Sequence, residues 1–134
     1  MPGIDECLLH AMRLPGARGA ALVDWTSGLA LGTVGDAAGD DHETAAAETA
    51  ELARMAAEHP TFAPAPCGEN TEAVKSPPVE DLVVTTRTSY HVLRFVETSF
   101  DSSVLMHLWL DRAEGNLALA RLRMRDLTER LVLE

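Results

Sequence analysis

Residues 103–110 read Ser103-Val-Leu-Met-His-Leu-Trp-Leu110, and they decide the fold. Side chains alternate across a strand, so Val104, Met106, Leu108 and Leu110 share one face and Leu105, His107 and Trp109 the other. A strand apolar on both sides belongs in the middle of a sheet with both faces covered. Gly19–Val23 has the same character. Leu29–Val34, which contains a glycine, and the charged, threonine-ended Val79–Thr86 read as edge strands.

Outward from this centre the pattern gives further elements. Ile4, Cys7, Leu8, Ala11 and Met12 carry helical spacing over Ile4–Arg13, and Leu14-Pro15-Gly16 ends it. Gly19–Val23 and Leu29–Val34 flank the turn residues Asp24-Trp-Thr-Ser-Gly28, a hairpin signal. Gly35–Asp41 reads as loop. Asp40, with Glu43 three residues later, is the expected N-cap of an alanine-rich helix over His42–His59, stopped by Pro60. Residues 60–78 hold five prolines and read as a long irregular loop. The strands Val79–Thr86 and Tyr90–Val96 form a second hairpin through Arg87-Thr-Ser89, and Ser103–Leu110 follows. Asn116 caps a last helix striped by Leu117, Ala120, Met124, Leu127 and Leu131. The expectation is an α+β sandwich, a five-stranded antiparallel sheet with helices on both faces, in the order α-β-β-α-β-β-β-α. It occupies residues 1–134 as a single domain.

Composition bounds the function. Over 134 residues, 21 acids against 11 Lys and Arg leave a formal charge of −10, which argues against binding nucleic acid or anionic membrane through a positive field. No apolar run approaches the roughly 20 residues of a membrane span, so no membrane insertion is expected. Met1-Pro-Gly-Ile-Asp-Glu lacks a basic region before an apolar stretch, and two cysteines make no disulfide framework; both suggest the cytoplasm. Ten arginines against the single Lys75, with abundant alanine, suggest a GC-rich bacterial genome.

Reactive constellations do not assemble. His10, His42, His59, His91 and His107 show no metal-ligand spacing, and His107 fits a core or boundary position better than a ligand role. Cys7 lies on the apolar stripe of its helix, and Cys67 sits in the proline-rich loop with no neighbour to activate it. Gly32-Thr-Val-Gly35 lacks the Gly-Lys-Ser/Thr ending of a phosphate loop, and Ser27 lacks a nucleophile elbow. No catalytic residue, cofactor or metal is assigned. In the last helix, Arg125–Glu129 and Asp126–Arg130 have the spacing of solvated pairs, which is favoured over an arginine finger.

Together these segments resemble the Roadblock/dynein light chain family, which has a longin-related, profilin-like fold. The matching stretches are Gly19-Ala-Ala-Leu-Val-Asp24 with Gly28-Leu-Ala-Leu31, the alanine-rich second helix and Val79-Glu-Asp-Leu-Val-Val-Thr-Thr86. Leu108-Trp-Leu-Asp-Arg112, running into Asn116-Leu-Ala-Leu-Ala-Arg121, is the most specific. The resemblance implies a non-enzymatic, dimeric adaptor or regulator of a Ras-like small GTPase, joined through its third strand and second helix.

The residues give dimerisation an argument of their own. An aliphatic edge strand is an aggregation hazard unless covered, and alanines let helices approach closely. The expected interface is Ala46, Ala50 and Ala53 with Val79, Leu82, Val83 and Val84; the alternative is a helix that merely packs on its own sheet. Trp25 at the hairpin turn and Leu119, Leu122 and Arg123 on the last helix are candidate partner-facing residues. For Leu119, Leu122 and Leu133, packing against the first helix is favoured. Competing functions are a profilin-like small-molecule-sensing domain, with a pocket lined by His91, His107 or Tyr90, or a general protein-interaction domain.

Overall fold

The computed structural model describes residues 3–62, 79–96 and 103–132. Its elements are α1 (Ile4–Ala11), β1 (Ala17–Asp24), β2 (Leu29–Gly35), α2 (His42–Glu58), β3 (Asp81–Thr85), β4 (Ser89–Val96), β5 (Val104–Asp111) and α3 (Leu117–Val132). A short 3₁₀ turn, Ala38–Asp40, interrupts what the sequence presented as plain loop. The strands form one antiparallel sheet in the order β2-β1-β5-β4-β3. The doubly apolar strand β5 is therefore central, and the two weaker strands are the edges, as their composition predicts.

Side-chain parity divides the core into two layers. Met106, Leu108 and Leu110 pack with Leu22, Val92, Leu8 and Met124 beneath α1 and α3. On the opposite face, Leu105, Leu93 and Phe95 meet Ala53, and Val23 meets Ala46 and Ala50, beneath α2. The two faces are covered unequally. α1 lies over β1 and β2 while α3 lies over β4, so together they span the sheet; α2 lies mainly over β2 and β1.

Local chemistry sets the element ends. The N-cap of α2 is Asp41 rather than Asp40: its carboxylate accepts from the Glu43 amide at 3.1 Å and the Thr44 hydroxyl at 2.6 Å. Two adjacent aspartates fit the capping pattern almost equally, and the Thr44 hydroxyl favours the second. Asn116 caps α3 as expected, accepting from the Leu119 amide at 3.0 Å. In the β3–β4 turn, the Thr86 hydroxyl accepts from the Ser89 amide at 2.9 Å, while the Thr86 amide donates to the Ser89 carbonyl. Most of the expected 60–78 loop, with Cys67, and most of the link after β4 lie outside the described residues.

Asp81 opens β3 and is gripped from two sides. Arg121 of α3 reaches its carboxylate through Nε at 3.1 Å and Nη2 at 3.3 Å, while Arg94 of β4 stands at 3.9 Å. This two-pronged contact fastens the edge strand to the helix lying across its neighbour.

Gly19 and Gly35 face one another across the β1–β2 pair. A Cβ on Gly19 would stand 1.9 Å from the Asp36 carbonyl oxygen, so the backbones approach closely only because no side chain intervenes. Gly19→Ala should lower unfolding free energy by about 2 kcal/mol, because backbone must move to admit the methyl group. Urea denaturation followed by circular dichroism checks this, and a midpoint equal to the parent's contradicts it.

Candidate docking faces

Because α2 is set to one side, the sheet beside it remains open. A groove of about 310 Å³ runs between α2 and the β4–β3 edge, with His91, Leu93 and His107 on the sheet and Thr49 and Leu52 on the helix. Its margins carry exposed apolar groups: Leu52 and Met55 on α2, and Val84 on β3. Val84 shares the groove face with Leu82, since they pair with His91 and Leu93; Val83 points to the α3 face. Among the described strands, β3 pairs only with β4, which leaves its outer backbone edge open.

The expected interface alanines lie elsewhere. Ala46, Ala50 and Ala53 are 3%, 0% and 0% exposed, sealed against the chain's own sheet. The expectation that they present a surface to another copy is corrected accordingly: small side chains bring α2 down onto β1 and β5, and Leu52 and Met55 form the exposed apolar margin. Val79 and Leu82 are half-buried against the Phe95 cluster.

At the groove floor, register brings two histidines together. Leu93 pairs with His107 and His91 with Trp109, so the imidazoles are diagonal neighbours. His91 Nδ1 and His107 Nε2 stand 2.9 Å apart, with the rings stacked. Trp109 stacks on His91 in turn, and the Arg18 guanidinium lies over Trp109 at 4.1 Å. Burial, with His91 alongside, pushes the His107 pKa down to about 4; burial also lowers His91. Two neutral rings share this hydrogen bond, one as donor and one as acceptor. Tyr90 is on the opposite face, packed against the α1–α3 core. The described residues hold no cluster of three metal-ligating side chains.

Trp25 does not project as a wet tip. Its ring folds back edge-on to Phe95 at 5.9 Å, and Arg54 donates to its carbonyl oxygen at 3.0 Å. The turn is fixed by Asp24, whose carboxylate accepts from the Thr26 hydroxyl and amide; the hydroxyl bond above all holds its pKa below the usual carboxylate range.

A second concavity, of about 370 Å³, separates α1 from α3. Its floor is apolar, from Leu14, Leu119 and Leu127. Its rim carries His10, Arg13, Arg123 and Arg130, against the single acid Asp126. Leu119 packs onto the α1–α3 core, Leu122 is exposed, and Leu133 lies outside the described residues. Arg125–Glu129 forms the expected helix pair at 3.5 Å, whereas Asp126–Arg130 forms none.

Among the described residues, two nucleophile candidates have structural surroundings. Cys7 is buried, with its thiol pKa raised by that burial. The Ser27 hydroxyl accepts from the Leu29 amide within the turn. The described residues include no helix long and apolar enough to cross a membrane.

This architecture is the Roadblock fold. No family model matches the sequence, and no curated protein matches it. Solved structures do. MglB of Myxococcus xanthus superposes with a TM-score of 0.68 at 16% identity, over 92% of this chain and 80% of that one. A Roadblock/LC7 domain from Streptomyces avermitilis gives 0.68 at 16%, over 95% and 92%. MglC from Myxococcus xanthus gives 0.61 at 18%, over 96% of both.

The histidine pair sets a pH dependence. His107 binds a proton more weakly when folded (about 4) than in the unfolded chain (near 6.5), so it stabilises the fold fully above pH 6.5. As pH falls from 6.5 towards 4 the unfolded state takes up the extra proton, and stability drops by up to about 1.4 kcal/mol per pH unit. His107→Gln should flatten this fall, while Asp24 and Asp41 act equally in both proteins. Urea midpoints from pH 7.5 to 4.5 test it, and parallel curves contradict it.

Proposed function

We propose that the protein is a non-catalytic homodimeric adaptor that binds a Ras-like small GTPase or its signalling complex. The observation that carries the dimer is the half-covered sheet: the β3 edge and the Leu52–Met55 margin of α2 enclose a groove that a second copy of the same two elements would fill. Two-fold pairing would give the edge strand a neighbour and cover Val84, with the buried alanines setting the depth of α2 behind the contact. The GTPase follows from the resemblance of the sequence to the Roadblock family, which likeness of fold to MglB and MglC supports. Leu119, Leu122 and Arg123 on α3 are the proposed partner-facing residues, while Trp25 contributes by holding its hairpin in place. A cytoplasmic protein is proposed on the same grounds.

The groove also favours a second reading, a small-ligand sensor. His91 and His107 give its floor a polar handle beside Leu93, the composition of a small-molecule site. A compound retained by the groove in native mass spectrometry of the purified protein would favour this alternative.

Light scattering at low micromolar concentration should give twice the chain mass. Val84→Asp should give the single-chain mass with unchanged circular dichroism, because two like charges would meet at the seam. A parent protein that is monomeric throughout overturns the dimer. Immobilised protein should also capture a Ras-like GTPase encoded near it, loaded with GDP or a GTP analogue; capture in neither state overturns that partner.

A further inference from the structure

Ten arginines are distributed over this acidic chain, and their partners sort them. Arg94 and Arg121 face Asp81, and Arg125 faces Glu129. Arg54 and Arg112 donate to backbone carbonyls, while Arg18 covers Trp109. Four have no such partner among the described residues: Arg13, Arg87, Arg123 and Arg130. Three of these four border the one hollow between α1 and α3.

Their placement follows from the helix. Arg123, Leu127 and Arg130 stand at i, i+4 and i+7, on one face of α3 with Leu119 one turn earlier. Arg123 and Arg130 are thus about 10 Å apart along the axis, with Leu127 between them. Arg13 and His10 close the opposite rim from α1 and the turn after it, and Leu14 completes an apolar floor. Asp126 bonds to neither arginine, so three cations surround a greasy hollow on a protein of charge −10.

We infer that this hollow docks an acidic, partly apolar segment of a partner protein. The inference rests on the reading of α3 as partner-facing and not on the partner's being a GTPase. Carboxylates about 10 Å apart meet the arginines while an apolar side chain between them covers Leu119 and Leu127. A free phosphate is a poorer match, because the three arginines are exposed along a rim rather than converging on one point. The overall charge disfavours nucleic acid and anionic lipid.

The test uses the full chain and two fluorescein-labelled peptides, Glu-Leu-Glu-Leu-Leu-Glu-Glu and its Gln-for-Glu counterpart. Fluorescence anisotropy should show the acidic peptide binding at least about tenfold more tightly than the neutral one, as charged hydrogen bonds are lost. Amide shifts in a ¹⁵N-labelled sample should centre on Arg13, Leu119 and Leu127. The double variant Arg123→Ala/Arg130→Ala, altered only at exposed positions, should weaken binding about tenfold, and Arg87→Ala should leave it unchanged. No binding, equal binding of both peptides, or shifts centred elsewhere overturns the inference. So does equal weakening by Arg87→Ala, which marks general charge attraction, or displacement by inorganic phosphate at peptide-like concentration, which marks a small-anion site. GTPase capture that survives the double variant, with the peptide unbound, overturns this inference alone; peptide binding without GTPase capture overturns only the GTPase.

Discussion

The structure depends on burying β5 from both sides, and the chain meets that demand with unequal resources. Two helices cover one face, whereas a single alanine-rich helix must serve the other. Alanines bring α2 close to β1 and β5, where Leu105, Leu93 and Val23 fill the space. The same closeness keeps the helix from reaching across to β3. The groove and the exposure of Val84 beside it are therefore consequences of one packing choice.

That imbalance gives the two faces different chemistry. Beneath α2 the sheet carries a histidine pair and a tryptophan, polar enough to stay half-open yet flat enough to meet another surface. Beneath α1 and α3 the core is aliphatic and closed, and cations gather only outside it, around the seam between the helices. The division leaves two chemically distinct surfaces on opposite sides of one sheet.

Much of this was legible in the residues. The alternation in Ser103–Leu110 has a period of two, so it fixed both the position of β5 and the partition of its side chains between layers. The destination of the alanines was not legible, because a stripe at positions 46, 50 and 53 suits a sheet or another helix equally well. Nor were the two clusters found by geometry. His91 and His107 meet only once the β4–β5 register is known, and Arg13 reaches Arg123 and Arg130 across most of the chain length. Periodicity reports which face a residue occupies; it carries no information about what stands opposite.

Asp81 links these surfaces mechanically. One carboxylate holds the outermost ribbon to β4 through Arg94 and to the final helix through Arg121. A sideways pull on the ribbon is therefore felt at the helix carrying Arg123 and Arg130, two residues and more along the same rod. The outer strand is thus held twice over, by its backbone ladder to β4 and by one acidic rivet to the helix behind.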